Sequence, residues 1–229
     1  MTIDRLAFFD IDNTLIKSPG GHMAAMLRSI TQIYGPKVKI DEIEHHGMTD
    51  QEIITRILQN RNFDRAAIAS RLQDCMDATS QRYSETVESE KIVMMPGVLE
   101  LISKLEGRGI AAGLVTGNLE KIAHAKLKKI GIDHFFKIGG FGSDHISRTT
   151  LVKIAIKRAG RKFDLTSPLR AFHFGDAPQD MGAGREAGVV PIGVATGVFS
   201  ADQLTAAGAE IVLPDLRDTD KILNILQNS

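Results

Sequence analysis

Two aspartates separated by a single residue, Asp10 and Asp12, close the first apolar run of the chain, FFDIDNTLI at residues 8–16. Desolvating an unpaired carboxylate is expensive, so acids at the end of a buried segment imply a partner or a task. Two later apolar runs end in polar groups as well. LVTGN brings Thr116, Gly117 and Asn118, and FGDAPQD brings Gly175, Asp176 and, four residues on, Asp180. Side chains alternate along an extended segment, so Asp10 and Asp12 are expected to point the same way and four carboxylates to converge on one small area. Like charges so close raise one another's pKa unless a cation sits among them. Hard oxygen donors in that number favour Mg2+, which keeps waters and accepts one or two carboxylates plus a substrate oxygen.

Bringing these groups together requires strands that end at one edge. LAFFD (6–10), IAAGLVT (110–116), LRAFHFGD (169–176), VVPIGVAT (189–196) and AEIVLP (209–214) are short and almost continuously apolar, as strands covered on both faces are. Helical patterns separate them. PGVLELISKLEGRG opens on proline and closes on glycine; NLEKIAHAKLKKIG gathers lysines toward its end, which suits the helix dipole; SRTTLVKIAIKRAG opens on the N-cap Ser147 and closes on Gly160. The alternation predicts an α/β fold with a doubly wound, parallel, Rossmann-like sheet. Ligands in such sheets bind outside the carboxyl ends of the strands.

From about residue 20 to 90 the signals are helical only. TDQEIITRILQN begins with a Thr49-x-x-Glu52 capping box and stacks Ile53, Ile54, Ile57 and Leu58 on one face. The flanks, KSPGG at 17–21 and KIVMMPG at 91–97, read as linkers and hinges. The expected organisation is an α/β core of residues 1–17 and 95–229 with an α-helical cap inserted at 18–94.

Lys and Arg number 28, as do Asp and Glu, and no basic block occurs, so charge offers no footprint for nucleic acid or an anionic membrane. No apolar run approaches the ~18–20 residues of a membrane span, and the acid-bearing N-terminus does not read as a signal peptide. The expected location is the cytoplasm. The single cysteine, Cys75, excludes an internal disulfide and reads as a packing residue.

Taken in order, these motifs resemble the haloacid dehalogenase-like hydrolase superfamily, in particular its helical-cap, phosphoglycolate-phosphatase-like branch. The family's DxDx[TV] is met by Asp10-Ile-Asp-Asn-Thr14, its strand-end Ser or Thr by Thr116, and its GDxxxD by Gly175-Asp176-Ala-Pro-Gln-Asp180. The resemblance covers essentially the whole chain. It implies a Mg2+-dependent phosphatase of small phosphorylated metabolites. Asp10 would be the nucleophile that forms an aspartyl-phosphate, and Asp12 the general acid and then base. The metal set would be Asp10, Asp12 through its carbonyl, Asp176 and Asp180, the last also suited to orienting a bound water or a basic partner. Thr116, Gly117 and Asn118 would hold the phosphoryl oxygens. The family's third motif, a lysine after a GG-containing loop, is not met: IGGFGSDHISRTTLVK offers Arg148 first and Lys153 as the alternative.

The acid at Asp12 favours an oxygen leaving group, which needs a proton. That leaves a phosphomutase acting on a sugar phosphate as the alternative reading, and a non-catalytic phosphoryl-accepting module as a more distant one. Within HHGMTD, Thr49 matches a family G-x-[ST] stretch that helps select the leaving group, although a helix N-cap explains it equally well. His45 and His46 read as a solvated loop, and the glycines of IGGFGSD as turn chemistry.

Overall fold

The computed structural model describes residues 3–35, 43–165 and 169–228. The strands are β1 (Arg5–Phe9), β2 (Ile16–Lys17), β3 (Val93–Met94), β4 (Ile110–Thr116), β5 (Gly139–Phe141), β6 (Arg170–Gly175), β7 (Val190–Val194) and β8 (Ile211–Leu213). Six of them form one parallel sheet in the order β5-β4-β1-β6-β7-β8, so β1 is central and its neighbours are the two other strands that end in site residues. In register, Phe9 lies opposite Leu114 on one side and Phe174 on the other. The Phe9 and Phe174 rings stack at 4.6 Å.

The helices are α1 (Gly21–Tyr34), α2 (Asp50–Gln59), α3 (Arg65–Thr86), α4 (Val98–Leu105), α5 (Glu120–Lys129), α6 (Arg148–Lys162), α7 (Pro178–Ala187), α8 (Ala201–Ala206) and α9 (Thr219–Asn228). Alternation along β1 divides the core between the two faces of the sheet. Ala7 and Phe9 pack with α4, α5 and α9 through Leu101, Leu127 and Leu223. Leu6 and Phe8 pack with α6 and α7 through Leu151, Ala155 and Ala183. The sheet is therefore doubly wound, as the sequence pattern predicts.

Helices α1 to α3 have an apolar cluster of their own, built on Met26, Ile54, Ile57, Cys75 and the fully buried Tyr83. Leu119 and Ile122, at the start of α5, complete it, so one helix of the sheet layer is shared with the helical segment. The two connections to that segment pair with each other: β2 and β3 run antiparallel, Ile16 opposite Met94 and Lys17 opposite Val93.

Two expectations need correction. Gly139 and Gly140 of IGGFGSD lie in edge strand β5, only Gly142 falling in the expected turn, and α6 runs through Gly160 to Lys162. The β5 glycines are there because of close packing. A Cβ on Gly140 would lie 2.1 Å from the Leu151 carbonyl oxygen, and one on Gly139 would lie 2.6 Å from the Phe141 ring.

Alanine at two glycines should therefore act in opposite directions. Gly140→Ala forces backbone apart and is expected to cost about 1–3 kcal/mol. Gly160→Ala meets nothing within 4 Å and lowers the backbone entropy that the unfolded chain loses on forming the helix, so it should stabilise by about 0.5–1 kcal/mol. Urea unfolding of both variants checks the signs.

Candidate active site

Sheet pairing carries one residue past β1, since the Asp10 amide donates to the Phe174 carbonyl at 2.8 Å. The chain then turns. The Ile11 carbonyl accepts from the amides of Thr14, Leu15 and Ile16, and Asn13 takes a φ of 59°. Strand alternation therefore ends before Asp12, and the two acids do not share one cluster as expected. Three carboxylates converge instead of four: ligand oxygens of Asp10, Asp176 and Asp180 lie within 4.8 Å of one another, all in buried residues.

The approach of Asp180 depends on Gly175, where a Cβ would fall 2.3 Å from the Asp180 carboxyl carbon. Asp180, in the first turn of α7, accepts from the Ala177 amide at 3.1 Å through one oxygen and pairs with the Arg148 guanidinium through the other. Both of its oxygens are thus engaged within the protein, while Asp180 remains grouped with Asp10 and Asp176 as a candidate metal donor. Arg148, the first residue of α6, also lies 3.6 Å from an Asp10 oxygen and is buried. Lys153, farther along the same helix, is exposed.

Burial, followed by repulsion from Asp180 and Asp12, raises the Asp10 carboxyl to about 6 despite Arg148. Burial and the charges of Asp10 and Asp180 push Asp176 up to about 8. Beneath them, burial and Arg148 lower His173 to about 4, so this imidazole is neutral near pH 7.

Asp12 has the opposite environment. Desolvation would raise its pKa, but the Lys126 ammonium outweighs that and holds the carboxyl below its ordinary value. Lys126 Nζ donates to both Asp12 oxygens, at 2.8 and 2.7 Å, and Asn118 Nδ2 donates to one of them at 2.8 Å. Sequence reading missed Lys126, because lysines late in α5 suit the helix dipole. The available signal was its spacing: Lys126 follows the buried Ile122 by four residues, on the apolar face of the helix.

Thr116 is buried at the end of β4, and its Oγ accepts from Asn118 Nδ2 at 2.8 Å. The Gly117 carbonyl accepts from the Asp50 amide at 2.8 Å, tying the β4 loop to the start of α2. Thr49 departs from its expected substrate role. Its hydroxyl accepts from the Glu52 amide as the N-cap of α2 and donates to the Ile146 carbonyl at 3.1 Å. Asp10, Asp12, Asp176, Gly117, Lys126 and Arg148 line a cavity of about 300 Å3, with Asn118 beside them. The helical segment closes its other side with His22, Met23, Met48 and Ile53, and also with His45 and His46, which face the cavity rather than forming only a solvated loop.

The haloacid dehalogenase-like hydrolase family model matches residues 7–194, and the chain belongs to that family. A phosphoglycolate phosphatase from Pseudomonas putida is 26% identical over 219 residues, spanning 94% of this chain and 78% of the relative. A validoxylamine A 7'-phosphate phosphatase from Streptomyces hygroscopicus is 23% identical, spanning 93% and 95%. Among solved structures, CbbY from Rhodobacter sphaeroides in complex with phosphate is similar with a TM-score of 0.72 at 21% identity, covering 95% of this chain and 96% of that one. A hydrolase from Pseudomonas syringae has a TM-score of 0.70 at 21% identity and covers 99% of both chains. Among the described residues no helix is long and apolar enough to cross a membrane.

The donor set fits a hard divalent cation. Asp10 and Asp176 present oxygens, and their raised pKa values mark negative charge that the protein leaves under-compensated.

A raised carboxyl pKa costs stability as pH climbs from the unfolded-state value, 3.8, to the folded one, because the unfolded chain ionises first. Asp176→Asn removes that cost, so in chelator at pH 8 the variant should melt above wild type by a few degrees. Added Mg2+ should raise the wild-type Tm by mass action and leave the variant unmoved. Thermal melts at pH 5 and pH 8, with and without Mg2+, check both; the gap in chelator should shrink at pH 5.

Proposed function

We propose that the protein is a cytoplasmic, Mg2+-dependent phosphatase that hydrolyses a monoester of a small phosphorylated metabolite. The observation that carries this is the pairing, at the mouth of one cavity, of a buried carboxylate beside a guanidinium with a second carboxylate on a separate ammonium. The first arrangement suits attack on phosphorus, and the second suits proton transfer to and from oxygen. Relatives named for phosphoglycolate and for validoxylamine A 7'-phosphate agree with a small substrate, as does a cavity of about 300 Å3.

In the first half-reaction an Asp10 oxygen forms a bond to phosphorus as the bond to the leaving oxygen breaks, and Asp12 gives its proton to that oxygen. In the second, Asp12 takes a proton from water as the water oxygen bonds to phosphorus and the Asp10–phosphorus bond breaks. Arg148 offsets charge on Asp10 and the phosphoryl oxygens, while Gly117 and Asn118, which line the cavity, and the buried Thr116 bonded to Asn118 would hold those oxygens. Mg2+ held by Asp10, the Asp12 carbonyl and Asp176 would supply further charge neutralisation. The insertion at 18–94 acts as a cap that excludes water and contacts the leaving group through His45, His46 and Met48.

Asp10→Asn should lower Mg2+-dependent phosphate release by at least about 10³-fold with the melting curve preserved. Near-wild-type turnover would refute the mechanism. Arg148→Met should cost about 10²–10³-fold, whereas Lys153→Met should leave turnover close to wild type. Phosphate release is to be assayed across a panel of esters without a bisphosphate activator, a condition under which a mutase would turn over poorly.

A further inference from the structure

Lys126 is 1% exposed, and burying an ammonium is costly unless each of its protons is satisfied. Here the acceptors outnumber the protons. Beside the two Asp12 oxygens, Lys126 Nζ donates to Asn118 Oδ1 at 2.7 Å and stands 3.4 Å from His22 Nδ1. The other ring nitrogen of His22 is 3.0 Å from an Asp50 oxygen, and that oxygen accepts from the Leu119 amide at 2.8 Å. His22 belongs to α1 and Asp50 to α2, whereas Lys126 and Leu119 belong to α5 and the loop before it. His22 thus brings the helical insertion against the buried cation that holds Asp12, while its Nε2, though close to Asp50, makes no hydrogen bond.

That carboxylate needs a holder. Asp12 lies beyond the end of β1, its side chain is 37% exposed, and its backbone makes an isolated bridge to Ile16 that leaves the side chain unfixed. A free aspartate there could turn about χ1 and χ2 among staggered positions, and only some of them place an oxygen where a leaving group departs. A two-oxygen grip from one ammonium, reinforced by Asn118, selects a single orientation. Arg148 cannot supply this grip, being spent on Asp180 and Asp10.

We infer that Lys126 is a positioning residue for the acid–base step: it holds Asp12 toward the leaving oxygen, and through His22 it ties that orientation to the seating of the helical insertion. The inference rests on the reading of Asp12 as acid and base. It extends that reading to a residue on α5 that matches none of the motifs.

Lys126→Met should lower kcat by about 10²-fold, within the range of acid–base contributions, while KM changes little. Because hydrolysis of the aspartyl-phosphate needs an oriented base and its formation from an aryl ester scarcely needs an acid, phosphoenzyme should accumulate. Intact-protein mass spectrometry of enzyme quenched while turning over p-nitrophenyl phosphate reads that accumulation. In an Asp12→Asn background, Lys126→Met should cost nothing further, since Lys126 then has no carboxylate to orient. The double variant carries no lone buried charge, so it serves as the test if the single variant fails to fold. Wild-type kcat in Lys126→Met, or losses that add in the double variant, would overturn the inference. Failure of the underlying phosphatase reading is distinguishable, because wild type itself would then release no phosphate and form no phosphoenzyme.

Discussion

Three buried carboxylates held within 4.8 Å of one another are the constraint around which the sheet edge is built. Their mutual repulsion in a desolvated place would break up the site if the fold did not oppose it. The opposition comes from the connection between β5 and β6: Arg148 opens α6 and pairs with Asp180, which in turn is anchored to the amide of Ala177, the N-cap of α7. Gly175 lets Asp180 lie against the strand, and Gly197, where a Cβ would meet an Asp176 oxygen at 1.8 Å, lets the loop after β7 do the same. One guanidinium against three acids leaves a deficit of two charges if all ionise. The protein meets that deficit by raising the pKa of Asp10 and Asp176, and a divalent cation would meet it by charge.

Asp10 and Asp12 occupy opposite regimes although one residue separates them. Asp10 is pressed toward neutrality by burial and its acidic neighbours, and Asp12 is drawn toward ionisation by Lys126. Environments that drive two titratable groups apart allow them to take different roles in one reaction. A substrate dianion arriving between them would raise Asp12 again, which is the direction a proton donor needs, and transfer of that proton to the leaving oxygen would return Asp12 to the carboxylate that acts as base. The turn at Asn13 produces this division, because it takes Asp12 out of the plane of the sheet and over to α5.

The motifs that were legible in the sequence were those in which residue type and strand end coincide. Asp10, Thr116 and Asp176 each close an apolar run, and parallel strands bring such ends to one edge. What escaped did so for physical reasons. Strand β5 reads as a turn because Gly139 and Gly140 have no β propensity of their own; tertiary packing against Leu151 and Phe141 demands them. The direction of Asp12 could not follow from alternation once the strand had ended at Phe9. Thr49 carried two readings in the sequence, and its hydroxyl geometry is that of a cap. Lys126 lay among three other lysines of α5, and only its place on the Ile122 face marked it as buried.

Helix α5 serves two structures at once, which gives that lysine its setting. Its first turns, through Leu119 and Ile122, complete the apolar cluster of α1, α2 and α3, and a turn later Leu127 enters the core beneath the sheet. Lys126 stands at the changeover, where apolar packing gives way to the acid-lined cavity. An ammonium at that point cannot be satisfied by either layer alone. Asp12 and Asn118 come from the strand ends, and His22 from the insertion, close to Asp50. Displacing the insertion would remove one of these acceptors and also open the apolar seat at Ile122. Packing of the helical segment and orientation of Asp12 are therefore coupled by the same helix, within the span of a single turn.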